Sequence, residues 1–334
     1  LAHAPGVGGL LLAGAAFAIA AWSRRPAAAS QGRFAQAFAR FEAGLPSALF
    51  WGGFLWLQLA LQAEITRAPL DVTGLPQPVY GAALQLHLSL LAWVGSAFLL
   101  APLARADRAQ PWPVAATPAW TVLPVLLIGA LFGAFDHPHL FVQGGWMAWP
   151  LLLVLHGLLL HRLDRGEPAR WGPLVHAAGV WLAVLLAGNL LLFAVGQWQL
   201  WGTAWATVIL LVAGTAVLMA LCRRAPFEGR ASRWPLDRFA AAYLWTAAAP
   251  LAAGVALGAL LVAVNSRGEA RPLPYVPLLN PTDLSVALAL ATVALWLLRL
   301  RQATWLVPAA ARDPRWLLVP AALGFVALNT AWLR

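Results

Sequence analysis

The amino-acid sequence predicts an all-α fold, a polytopic helical bundle crossing a membrane about ten times, and three observations carry that expectation. First, 61% of the 334 residues are hydrophobic and only 10% are charged. A water-soluble domain carries about a quarter charged residues. This chain lacks the polar residues to cover such a surface, so its outside must face lipid. Second, the apolar residues gather into ten runs. Each approaches the ~20 residues a helix needs to cross a ~30 Å core at ~1.5 Å per residue. Third, the basic residues alternate between the loops that join those runs.

The runs cover 5–22, 45–63, 80–104, 114–135, 146–162, 173–195, 203–222, 239–264, 283–299 and 316–333. The first resembles a signal-peptide core, but nothing basic precedes it and it is long, so it reads as a true span. Between the first two, residues 31–42 place Phe34, Phe38 and Phe41 at helical spacing, with Arg33 and Arg40 elsewhere. That pattern suits a short amphipathic helix on the membrane surface; the plainer reading is an extension of the second span. The fourth run carries Pro118 and Pro124. Proline is tolerated in lipid-embedded helices where neighbours satisfy the backbone. Nineteen tryptophans suit a protein with two lipid–water interfaces. Residues 111–124 loosely echo 234–250, too weakly to establish a repeat.

All 22 basic residues are arginine. Eighteen lie in the loops after runs one, three, five, seven and nine, and four (Arg67, Arg267, Arg271 and Arg334) lie on the other side. Arginine-rich loops stay cytoplasmic. The expected topology therefore has the N-terminus outside, in a bacterial inner membrane. The net charge of +10 is spread through these loops rather than over one soluble face, which argues against nucleic acid. No soluble domain or linker is left over, so residues 1–334 read as one transmembrane domain. The start at Leu1 and the end just after an apolar run suggest a piece of a longer chain.

Absences narrow the function. No Asp, Glu or Arg sits in the middle of a run. Ion-coupled transporters keep such costly groups in the membrane. One cysteine, Cys222, excludes a disulfide framework and a multi-cysteine metal site. Phosphate-loop, nucleophile-elbow and zinc-protease motifs are missing. Within the runs lie Gln58, Gln62, Gln85, His87, His156, His176, Asn189 and Asn329. They read as interhelical hydrogen-bonding groups. A haem would need two histidines at one depth, and helical rise puts His87, His156 and His176 at different depths. No cofactor is expected.

The Arg-poor loops hold the candidate site residues. Asp136, His137 and His139 in DHPHLFVQGG have side chains suited to zinc, with His137 and His139 as the candidate ligands; the plain reading is a polar turn. Asp71 and Asp136 are the candidate catalytic carboxylates, and Arg267 and Arg271, with Arg67, the candidate phosphate-binding groups. In Asn280-Pro281-Thr282-Asp283, Asn280 or Thr282 reads as a helix cap and Asp283 as a charge at the helix's positive end.

GGWMAWPLLL (144–153), the His-bearing HAAGVWLAVLLAGN (176–189) and PLPYVPLLNPTDL (272–284) together resemble a large bacterial family of predicted multi-spanning membrane proteins of unknown function. The PLPYxPLLNPxDL run is the most specific piece, and Thr282 stands where a Leu is expected. The resemblance implies a polytopic inner-membrane protein of greater length, and it transfers no catalytic residue. The leading expectation is a non-catalytic or transport-like membrane protein of the cell envelope, with the lipid bilayer as its partner. The alternative is an envelope enzyme acting on a lipid-linked polyprenyl-phosphate or glycan substrate.

Overall fold

Leu- and Ala-rich runs in lipid must satisfy every backbone polar group internally, and the helix does so. The computed structural model describes residues 4–24, 33–104, 111–165, 170–224, 234–266, 268, 270, 273, 276–303 and 307–333. Among them, nine helices are long and apolar enough to cross a membrane, each overlapping one of runs two to ten. The first run also forms a helix, α1 (Ala4–Trp22), whose apolar stretch Gly6–Trp22 is shorter. The chain resolves into two compact units, Leu1–Arg165 and Gly166–Arg334.

The first unit holds α1, α2 (Arg33–Ile65), α3 (Ala82–Leu100), α4 (Thr117–Asp136) and α5 (Gly145–Leu163). Helix α2 is one 33-residue helix running through Pro46. Residues 33–42 therefore extend the second span rather than forming a separate surface helix. Phe34 and Phe41 remain exposed on that extension. Small residues let α1 lie close on α2. A Cβ on Gly9 would stand 2.8 Å from the Ala60 Cβ, and one on Gly53 3.0 Å from the Ala16 Cβ. Close approach of small residues is how helices associate where lipid removes the hydrophobic drive. Further along, edge-on rings knit α2 to its neighbours, with Phe50 against Trp112 at 5.1 Å and Phe54 against Trp93 at 5.2 Å. Such pairs contribute about 0.5–1.5 kcal/mol beyond their buried area. At the Arg-rich end, Arg24 donates to the Pro111 carbonyl and lies over the Trp112 ring.

The second unit holds α6 (Gly172–Gln197), α7 (Ala204–Arg224), α8 (Leu236–Ala241), α9 (Ala248–Asn265), α10 (Pro281–Gln302) and α11 (Leu318–Leu333). A π-helical turn, Ala242–Ala247, joins α8 to α9. There the Ala248 amide goes to the Trp245 carbonyl rather than to that of Leu244. The indole of Trp296 on α10 donates to the Leu244 carbonyl at 2.9 Å. A widened turn needs such a partner from a neighbouring helix. The core lies among α7, α9 and α10, with Leu218, Ala248, Ala259, Ala289 and Leu300 fully enclosed. His176 meets the Tyr243 hydroxyl at 2.9 Å and stacks on Phe239 at 4.0 Å, which gives this buried imidazole packing and hydrogen-bonding partners. Of the two caps the sequence offers, Asn280 or Thr282, it is Asn280 that caps α10: its Oδ1 accepts from the Asp283 amide, and its side-chain amide donates to the Asp283 carboxylate.

Candidate functional site

Helix α2 ends at Ile65 and α3 begins at Ala82, while α4 ends at Asp136 and α5 begins at Gly145. Both connections therefore lie at the Arg-poor end of the first unit, where most of the candidate residues sit.

Asp71 is consumed by its own loop. One carboxylate oxygen accepts from the Thr73 amide at 2.8 Å, the Thr73 hydroxyl at 2.7 Å and the Leu75 amide at 3.0 Å. The other accepts from Gln77 at 3.3 Å. The turn closes through Gly74 at φ +77°, a left-handed conformation that favours glycine. The Thr73 hydroxyl, followed by the Leu75 amide, pulls the Asp71 carboxyl down from 3.8 to about 2. A carboxylate held so acidic is a poor general base at neutral pH. Its described polar contacts all lie within residues 71–77.

Asp136 is exposed at the last residue of α4. His137 caps α4, its amide donating to the Gly133 carbonyl at 3.1 Å. His139 turns back on its own loop, where Nδ1 accepts from the Phe141 amide at 3.1 Å. Among the described residues no three His, Cys, Asp or Glu side chains gather in a way that could hold a metal. Arg267 and Arg271 lie outside the described residues.

What the structure does bring together is a knot around one backbone carbonyl. Leu140 O takes His87 Nε2 at 3.1 Å and the Trp149 indole N–H at 2.9 Å. A carbonyl can only accept, so Nε2 carries the hydrogen. His87 is 1% exposed, and its Nδ1 is buried with no hydrogen-bond partner among the described residues. The turn depends on Gln143 at φ 44° and Gly144 at φ 89°. Gly145 is fixed by close approach, because a Cβ there would stand 2.3 Å from the Leu140 oxygen. This knot binds the 137–144 connection to α3 and α5, a structural task for His87.

A second feature is charged. Glu64 and Arg67 pair at 3.8 Å, both partly exposed. Together they line two cavities, of about 520 and 550 Å³. Gly6 of α1 leaves room for the Glu64 carboxylate, which a Cβ at that position would strike. Sequence reasoning treats Glu64 only as a span end. The legible signal is the i,i+3 spacing of Glu64 and Arg67, which the turn just past the end of α2 brings together. A carboxylate and a guanidinium beside cavity walls can bind a polar head group.

No curated protein matches the chain, and no solved structure matches it. A family model described as a predicted membrane protein, DUF2339, covers residues 5–334. With its apolar helices and that match across nearly its whole length, the chain belongs to the DUF2339 family of predicted membrane proteins.

Proposed function

We propose that the chain is a non-catalytic, scaffold- or transport-like component of the bacterial inner membrane, acting at the cell envelope with its N-terminus outside. One observation carries this reading most. The candidate carboxylate Asp71 is occupied by structure, holding its own turn. The division of arginines, eighteen against four, supports the orientation.

The functional test is complementation. Full-length protein carrying Asp71→Asn, Asp136→Asn, His137→Ala and His139→Ala together should restore the phenotype of a deletion strain. Failure caused by any one of these changes alone would overturn the non-catalytic reading. The orientation is tested by labelling. Cys222 is the one cysteine and is buried, so single introduced cysteines report cleanly. In intact cells an impermeant maleimide should label Thr73→Cys and spare Arg301→Cys; the reverse pattern would invert the topology.

A second reading, an envelope enzyme acting on a lipid-linked substrate, draws on Glu64 and Arg67. Their place on the walls of both cavities suits a phosphate head group entering from lipid. Under that reading Glu64→Gln alone abolishes complementation, whereas the scaffold reading expects it to be silent.

A further inference from the structure

The Arg-rich end of the second unit contains an apolar cavity of about 400 Å³. Its walls come from the π-helical turn, α9, α10, the 307–317 segment and the start of α11, and include Trp245, Ala253, Ala256, Trp296, Ala310 and Trp316. The rings of Trp245 and Trp296 lie parallel, 6.3 Å apart and 4° from coplanar orientation. The indole nitrogens of Trp296 and Trp316 are already committed to backbone carbonyls, of Leu244 and Ala310. Two of the three indoles on the walls therefore have no N–H free for a polar ligand.

Basic residues adjoin this lining along the chain. Arg299 and Arg301 flank Leu300, Arg312 follows Ala311, and Arg315 precedes Trp316. Arg301, Arg312 and Arg315 form no ion pair among the described residues, and the Nε of Arg312 is shut away without a hydrogen-bond partner. The single acid in that segment, Asp313, accepts from the Arg315 amide at 2.8 Å, capping the turn that begins at Pro314. An apolar space whose flanking arginines Arg301, Arg312 and Arg315 form no ion pair among the described residues matches an amphiphile with an anionic head. The volume suits a small ligand, and a partner helix about 10 Å across is too wide for it.

We propose that this cavity takes one acyl chain of an anionic phospholipid, whose phosphate lies against the guanidinium groups of Arg312 and Arg315. The basis is charge complementarity joined to an all-apolar slot. Basic pockets between membrane helices bind anionic head groups in this manner, and arginine grips phosphate through two parallel N–H donors. The site lies in the other unit from Glu64 and Arg67 and is independent of both functional readings.

The test uses full-length protein, stripped of lipid in detergent and then incubated with micelles containing either dioleoyl-phosphatidylglycerol or dioleoyl-phosphatidylcholine. Native mass spectrometry counts the lipid retained. One phosphatidylglycerol per chain is expected to survive detergent exchange, with phosphatidylcholine held at least about tenfold more weakly. Arg312→Gln with Arg315→Gln should lower phosphatidylglycerol retention by about tenfold or more while leaving the cavity intact. Ala253→Trp, at an exposed wall position, should block retention at an unchanged melting temperature. Equal retention of both lipids, or full retention by either variant, would overturn the proposal. So would a preference for a polyprenyl phosphate over phosphatidylglycerol. If Ala253→Trp fails to fold, the arginine variant decides alone.

Discussion

The two units use one device to opposite ends. In each, a tryptophan indole donates at 2.9 Å to a leucine main-chain carbonyl: Trp149 to Leu140 in the first, Trp296 to Leu244 in the second. In the first unit the carbonyl belongs to a tight turn, shares a second donor from His87, and leaves no room for a Cβ at Gly145. In the second it belongs to a π-helical turn, and a cavity of about 400 Å³ opens beside it. A carbonyl released from the helix ladder is a fixed, expensive acceptor that needs a partner in lipid. The indole satisfies it in both places. What differs is the surrounding volume: glycine and leucine close one site, while alanines and stacked tryptophan rings leave the other open.

The largest expected effect tests the closed site. Gly145→Ala forces the new Cβ against the Leu140 oxygen and the His87 ring, so backbone must move. Overpacking and a disturbed buried hydrogen bond together should cost about 3 kcal/mol, read as a lowered melting temperature in detergent. Gly157→Ala on the same helix, with nothing within 4 Å, should cost nothing measurable. If the two variants melt alike, the first site is not tightly closed.

Next come the two donors. Trp296→Phe removes the indole that serves the Leu244 carbonyl, whose usual helical partner, the Ala248 amide, is engaged at Trp245. A loss of about 2 kcal/mol is expected. Trp149→Phe should cost less, about 1 kcal/mol, because His87 still donates to Leu140. A larger loss for Trp149→Phe than for Trp296→Phe would reverse the comparison, making the shared carbonyl the more dependent one.

The sequence makes the spans legible because lipid imposes a length and a composition on every helix. The second to tenth apolar runs reappear as helices whose ends shift by a few residues. The cap at Asn280 is equally readable, since short polar side chains before an apolar run have few other uses. The knot at Leu140 is hidden for a definite reason. Its acceptor is a backbone carbonyl, which every residue carries, so no residue type marks it. His87 reads as an ordinary polar packing group, and Trp149 is one of nineteen tryptophans that suit the two lipid–water interfaces. The π-helical turn is hidden likewise, because AYLWTA differs in no obvious way from a helical stretch. Glu64 and Arg67 stand three residues apart in the sequence, but the fit of Gly6 around Glu64 joins positions far apart in the chain.

The smallest expected effect concerns the other Arg-poor connection of the first unit, which a side chain rather than an indole organises. Asp71 accepts four hydrogen bonds within residues 71–77, and its carboxyl is lowered from 3.8 to about 2. A group whose folded value is depressed contributes order that is fully present above its unfolded value. That order fades as pH falls through the folded value. Protection of the Thr73 and Leu75 amides from hydrogen exchange should therefore persist from neutral pH to below 3.8, then fall toward about 2. Asp71→Asn keeps an acceptor but cannot titrate, so its protection should show no such step, and its melting temperature at pH 7 should match the unaltered protein. The loop is exposed, so the change stays local, in contrast to the disruption expected at Gly145. A wild-type step centred near 3.8 would mean that the Thr73 hydroxyl does not hold the carboxylate. Asp71 would then be released from its turn and return as a candidate base.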